Sequence, residues 1–155
     1  MGLVHSFICK NCHYVFEATL GTGMFYRKTN NRIVEEIKQG KHGEEYKKIF
    51  EEHPLAAVNC ELFAAVCTQC KKLDTVEHLG LYLPNYENGD CPDAGNDPRV
   101  LSWAFHKCMD YNHKCSCGGE MKIIDDIFTM VDNGTLKCPN CDGIMEWTRE
   151  SFFWD

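Results

Sequence analysis

The chain has 155 residues, 44% of them hydrophobic, enough for one compact domain or two small ones sharing an interface. No apolar run approaches the roughly 18 residues of a membrane span, and the start Met-Gly-Leu-Val-His-Ser-Phe-Ile-Cys lacks the basic and apolar segments of an export signal, so the cytoplasm is the expected location. The formal charge is −7 and unevenly spread: residues 1–83 carry ten basic and ten acidic side chains, residues 84–155 six and thirteen, which would repel a phosphate backbone and weighs against a general nucleic-acid role.

In chain order, Leu3–Ile8 reads as a strand entering a Cys9-x-x-Cys12 turn, and His13–Thr19 alternates on leaving it, a hairpin pattern. The stretch Gly21-Thr22-Gly23-Met24-Phe25-Tyr26 breaks the alternation and predicts a loop. From about residue 30 to 53 the period becomes helical. Ile33, Val34 and Ile37 share one face and Tyr46, Ile49 and Phe50 another, with Gly40 and Gly43 between them, so a helical hairpin or broken helix is predicted. Asn30 or Asn31 would cap its start and Pro54 close its end. Ala56–Val66 is a strand-like run into Cys67-x-x-Cys70, answered by Leu73–Leu83.

Turn formers and acids crowd residues 84–98 and place a domain boundary near residue 90. Beyond it Asp97-Pro98 resembles a helix start, and Val100, Leu101, Ala104, Phe105, Cys108 and Met109 fall on one helical face; a short helix is predicted, with a strand as the alternative. The last segment holds Cys115-x-Cys117-Gly-Gly, an apolar stretch over Met121–Val131, the turn Asp132-Asn133-Gly134, Cys138-Pro-Asn-Cys141-Asp-Gly and a strand Ile144–Thr148. The predicted architecture is α+β: two small antiparallel β units, 1–90 with the helical insert and 91–155 with a preceding short helix.

Eleven cysteines demand either disulfides or metal, and spacing decides. Three Cys-x-x-Cys pairs and one Cys-x-Cys pair are what two tetrahedral ions need. A disulfide framework has no use for repeated close pairs, leaves an odd thiol, and needs an oxidising compartment. Each close pair supplies half a tetrahedron, and glycines at 118, 119 and 143 give the turns their freedom. The expected assignment puts Cys9, Cys12, Cys67 and Cys70 on one ion and Cys115, Cys117, Cys138 and Cys141 on the other, two zinc ions per chain. A crossed arrangement, 9/12 with 115/117 and 67/70 with 138/141, is the alternative. His113 stands as a substitute ligand should Cys115 or Cys117 not bind. Each Zn(Cys)4 unit adds −2, so two would take the chain from −7 to about −11. Iron in a rubredoxin-like site uses the same four sulfurs.

Strand-knuckle-strand segments such as Phe7-Ile8-Cys9-Lys10-Asn11-Cys12 and Leu136-Lys137-Cys138-Pro139-Asn140-Cys141 resemble the zinc ribbons. The whole chain is similar to a group of uncharacterised bacterial proteins with a Gly-x-Gly-Met loop, a helical insert and a second ribbon. That resemblance implies a structural metal role for the eight paired cysteines and little about activity.

Among the remaining residues, Cys60 alternates with Leu62, Ala64 and Val66 and reads as a core thiol, as does Cys108; Cys91, before Pro92, is the candidate exposed thiol. The seven histidines form no metalloprotease pattern, and no Walker loop or nucleophile elbow is present. A thiol redox centre would need a cysteine at a helix N-terminus, whereas these pairs lie between strands. Lys10, Lys71 and Lys72 beside the knuckles, with Arg27, Lys28 and Arg32, could form a basic face for nucleic acid. Trp147, Phe152, Phe153 and Trp154 form an aromatic tail that is either strand packing or an exposed partner surface. No catalytic set is visible. The expected function is a zinc-held adaptor that contacts another protein, with a nucleic-acid-binding ribbon and a thiol redox enzyme as competitors.

Overall fold

A computed structural model describes residues 2–86 and 90–154. The fold is α+β, with antiparallel sheets and short helices. Instead of dividing near residue 90, the chain forms two compact units that are each discontinuous: Met1–Met24, Leu62–Val76 and Asn112–Asp155 make unit 1, and Phe25–Glu61 with Glu77–Tyr111 make unit 2.

Unit 1 is built on a seven-stranded sheet. Strands β1 (Gly2–Cys9) and β2 (Val15–Gly21) form the first hairpin, β4 (Leu62–Cys67) and β5 (Leu73–Glu77) the second, and β8 (His113–Lys114) and β9 (Glu120–Ile123) the third. The long last strand, β10 (Met145–Trp154), follows a fourth turn closed by pairing of Lys137 with Ile144. The strand order is β10-β1-β2-β4-β9-β8, with β5 beside β4. One sheet face buries Phe7, Phe16, Ala18, Ala64, Leu73 and Met145 under the short helix α4 (Ile127–Asp132), which contributes Ile127. Asp126 starts that helix by accepting hydrogen bonds from the Thr129 amide at 3.0 Å and the Thr129 hydroxyl at 2.6 Å. The apolar stretch predicted over 121–131 is therefore a strand and then a helix.

Unit 2 packs α1 (Tyr26–Lys38) and α2 (Glu44–Glu52) with a three-stranded sheet of β3 (Ala57–Val58), β6 (Leu81–Pro84) and β7 (Phe105–Met109), ordered β3-β6-β7. Ile33 and Ile37 of α1 are fully buried beside Tyr46, Val58 and Leu81; burying each isoleucine stabilises the unit by about 1.5–3 kcal/mol. The helical hairpin forms as predicted, and Gly40 and Gly43 turn it with φ of 79° and 103°. Its start lies earlier than Asn30: α1 begins at Tyr26, and Asn30 is buried within it, its side-chain amide donating to Val58 O at 3.2 Å.

Three other expectations change. The runs 56–66 and 73–83 each read as one strand but are two, because each run leaves one sheet for the other, at residues 59–61 and 78–80. Leu79 at φ 57° marks the second break. The helical face over 100–109 is honoured only by α3 (Leu101–Ala104), after a 3-10 turn at Pro98–Val100 capped by Asp97; Phe105–Met109 is strand. Cys108 consequently lies exposed on β7 rather than in a core.

Candidate metal centres

The four close cysteine pairs sit at the four hairpin tips of unit 1 and share one construction. In each, the amide of the first cysteine closes the turn: Cys9 to Tyr14 O at 2.8 Å, Cys67 to Lys72 O at 2.9 Å, Cys138 to Gly143 O at 2.8 Å, and Cys115 to Gly119 O at 2.8 Å. The residue after the second cysteine is left-handed every time: His13, Lys71 and Asp142 at φ 60–63° and Gly118 at 87°. Cys115-x-Cys117 is thus the same knuckle one residue shorter, and the tighter turn uses glycine at the left-handed position. Backbone amides point at the sulfurs, Asn11 to Cys9 Sγ, Cys70 to Cys67 Sγ and Asn140 to Cys138 Sγ at 3.4 Å, and Gly119 to Cys117 Sγ at 3.3 Å.

The knuckles combine differently from both pairings expected from sequence. Cys9 and Cys12 meet Cys138 and Cys141; Cys67 and Cys70 meet Cys115 and Cys117. The sites are therefore concentric along the chain, an outer one joining its two ends and an inner one within it, and both lie in unit 1. Sheet topology is the cause. Strand β1 pairs with β10, so Cys9 lies opposite Met145 and Lys10 N–H donates to Ile144 O at 3.2 Å. Strand β4 pairs with β9, so Cys67 lies opposite Met121 and Thr68 N–H donates to Glu120 O at 2.9 Å.

Sulfur spacing separates metal from disulfide. The Sγ atoms of Cys9 and Cys141 are 3.4 Å apart, Cys12 and Cys138 3.5 Å, Cys67 and Cys117 3.5 Å, and Cys70 and Cys115 3.7 Å. A disulfide requires about 2.05 Å. A zinc-thiolate bond of about 2.3 Å in a tetrahedron sets sulfur edges near 3.8 Å. In each cluster the four ligand atoms all lie within 4.8 Å of one another, two cysteines buried and two exposed. Each cluster could hold one metal ion, with a complete set of four protein ligands.

Electrostatics point the same way. The Cys12 amide, opposed by burial and joined by the Asn11 amide, lowers the Cys9 thiol to about 6; the Cys70 amide, against the same opposition and with Gln69, brings Cys67 to about 6. At Cys12 and Cys70 the amides of Tyr14 and Lys72 also favour the thiolate, but burial and the neighbouring sulfurs prevail and raise them to about 12 and about 11. Cys9 and Cys67 are thereby favoured as thiolates, the form in which a cysteine ligates a metal.

The glycines fit this pairing. A Cβ on Gly119 would stand 2.8 Å from Cys67 Sγ, and one on Gly143 2.8 Å from Asn11 Nδ2, so each glycine admits the opposing knuckle. The freedom expected of Gly143 is not a positive φ, which belongs to Asp142; Gly143 serves close approach. The left-handed residues His13 and Lys71 were missed, and their only signal was position just past a second cysteine.

His113 is buried in unit 1 outside both ligand sets. Cys60 is a core thiol, 3% exposed, whose pKa burial pushes to about 12. Cys91 lines a cavity of about 330 Å³ in unit 2, and burial raises its pKa, so it lacks the thiolate character of a reactive cysteine. Of the basic residues, Lys10 pairs with Glu146 at 2.6 Å, Lys72 with Asp74 at 3.0 Å, and Arg32 with Glu36 and Glu77 at 3.0 and 2.8 Å. The aromatic tail belongs to β10, with Phe152 and Phe153 61% and 72% exposed. Among the described residues no helix is long and apolar enough to cross a membrane. Comparison of the chain with protein-family models, curated proteins and solved structures finds no match.

Proposed function

We propose that each cluster holds one structural zinc ion and that the chain works as a non-enzymatic adaptor, its zinc-fixed sheet presenting a surface to another protein. The carrying observation is the set of four sulfurs per cluster, all within 4.8 Å of one another and 3.4–3.7 Å apart across the knuckles, close to the edge of a zinc tetrahedron. Catalytic zinc keeps an open position with three protein ligands and a water; here a fourth cysteine takes that place. Zinc is favoured over iron because it is the usual ion for this ligand set. Thiol redox chemistry is disfavoured because all four pairs sit at hairpin tips, away from helix N-termini. Nucleic-acid binding loses support because three of the six basic residues named for it, Lys10, Lys72 and Arg32, pair with carboxylates. Native mass spectrometry with elemental analysis tests the metal reading. Two zinc ions per chain are expected, and a metal-free chain that stays folded would overturn it. Retention on heparin at moderate salt would return the nucleic-acid reading.

A further inference from the structure

Unit 1 carries a groove of about 700 Å³ between α4 and the start of β10. Its floor is apolar: Phe128 and Val131 from the helix, Ile144 and Trp147 from the strand side. Phe128 and Trp147 meet edge to face at 5.0 Å, and Trp147 remains 36% exposed. The helix runs against the strand, since Phe128 lies beside Trp147 while a Cβ on Gly134 would lie 3.8 Å from Ile144 Cδ1. Asp132 therefore stands toward the Ile144 end of the groove and Arg149 toward the Trp147 end.

The strand side offers main-chain hydrogen bonds. β10 is the end strand of the sheet. Met145 N–H points outward and donates to Leu136 O at 3.0 Å. Strand alternation puts the Trp147 N–H and C=O on that same outer edge, beyond the reach of this cap. A bulge follows: His5 pairs with Ser151 but Phe7 with Trp147, so residues 148–150 loop out, and Arg149 sits at φ 63° with its side chain lining the groove. The strained bulge stops continuous pairing along the edge and aims a cation at the groove instead. Neither Arg149 nor Asp132 forms an ion pair among the described residues, whereas Lys10 and Glu146 on the rim neutralise each other.

We propose that this groove binds an extended segment of another polypeptide, which pairs with the Trp147 main chain, sets an apolar side chain against Trp147 and Phe128, and places an acidic residue at Arg149 and a basic residue at Asp132. An apolar floor beside the outward-facing Trp147 main chain suits recognition by strand addition, in which main-chain hydrogen bonds give affinity and side-chain pockets specificity, and the opposite charges at the two ends set the direction of the segment. The inference rests on the adaptor reading and names its contact surface.

The test is selection of a random dodecapeptide phage library on the zinc-loaded full chain, with zinc content measured on the same sample and enriched peptides titrated by fluorescence anisotropy. Enriched peptides are expected to carry an apolar centre between an acidic and a basic residue, and to bind Trp147→Ala and Arg149→Glu at least tenfold more weakly. Methylation of the backbone nitrogens at the peptide centre removes binding, and the Asp132→Lys/Arg149→Glu variant selects the reverse charge order. Both charged positions are exposed, so these variants keep the test decisive if Trp147→Ala does not fold. No enrichment, or peptides indifferent to the charge swap and to methylation, overturns the proposal. Self-association that disappears in Trp147→Ala gives the groove to a second copy and also overturns it. Two zinc ions with no enriched peptide rejects the groove alone; a folded chain without zinc rejects the metal reading.

Discussion

Each knuckle places a residue at positive φ just after its second cysteine, and in three of the four that residue is not glycine. A left-handed L-residue costs roughly 1–2 kcal/mol, of which glycine's extra unfolded-state entropy leaves part recoverable. Lys71→Gly is therefore expected to raise stability by about 0.5–1 kcal/mol, measured by denaturant unfolding of the zinc-loaded chain; an unchanged midpoint would show the strain already relieved by the turn. Gly119→Ala acts in the opposite sense. Its methyl group would stand against Cys67 Sγ, so the inner site should lose zinc to a chelator well before the outer one, read as one ion released ahead of the other in a competition titration. The same reasoning was available from sequence for Gly118, where glycine is visible, and unavailable for His13, Lys71 and Asp142, whose side chains do not advertise the backbone they occupy.

At the scale of elements, caps and turns carry stability that periodicity alone does not report. Asp126 caps α4, and the Thr129 hydroxyl and then amide hold its carboxyl below the usual range. Asp126→Ala should cost about 1 kcal/mol, the ordinary worth of an N-cap, in a denaturant unfolding comparison. The turn between α1 and α2 is tied by Glu36, which accepts from His42 Nε2 at 3.1 Å and from Arg32 at 3.0 Å. The His42 bond first, and the Arg32 bond next, lower the Glu36 pKa. A depressed carboxylate stabilises the folded state above its unfolded pKa, about 4.3, and the contribution is lost as pH falls through the lower folded value. Glu36→Gln should thus destabilise the chain at pH 7 and become indistinguishable from wild type in acid; a difference that grew on acidification would contradict this. The helical hairpin was legible because Ile33 and Ile37 repeat at helical spacing into a core. The breaks at 59–61 and 78–80 were not, because both sides of each break are apolar and only the change of sheet separates them.

For the whole molecule, the decisive property is which knuckles share a four-sulfur cluster. Concentric pairing makes a sharp prediction: Cys9→Ser with Cys141→Ser disables one site and should leave one zinc per chain, whereas Cys9→Ser with Cys67→Ser disables both. The pairing expected from sequence gives the reverse result, so elemental analysis of the two double variants distinguishes them. Chelation of both ions should unfold unit 1, since four hairpin tips converge on the clusters and the sheet between them carries a small core. By itself the sequence determined the four half-sites and the metal chemistry they could support, because a close cysteine pair with its amide-to-sulfur turn is a local object, complete within about six residues. It could not determine the partners, because the four half-sites are chemically equivalent and any two of them close a tetrahedron. Tertiary structure chose, by pairing β1 with β10 and β4 with β9, and those contacts between strands far apart in sequence leave no local trace.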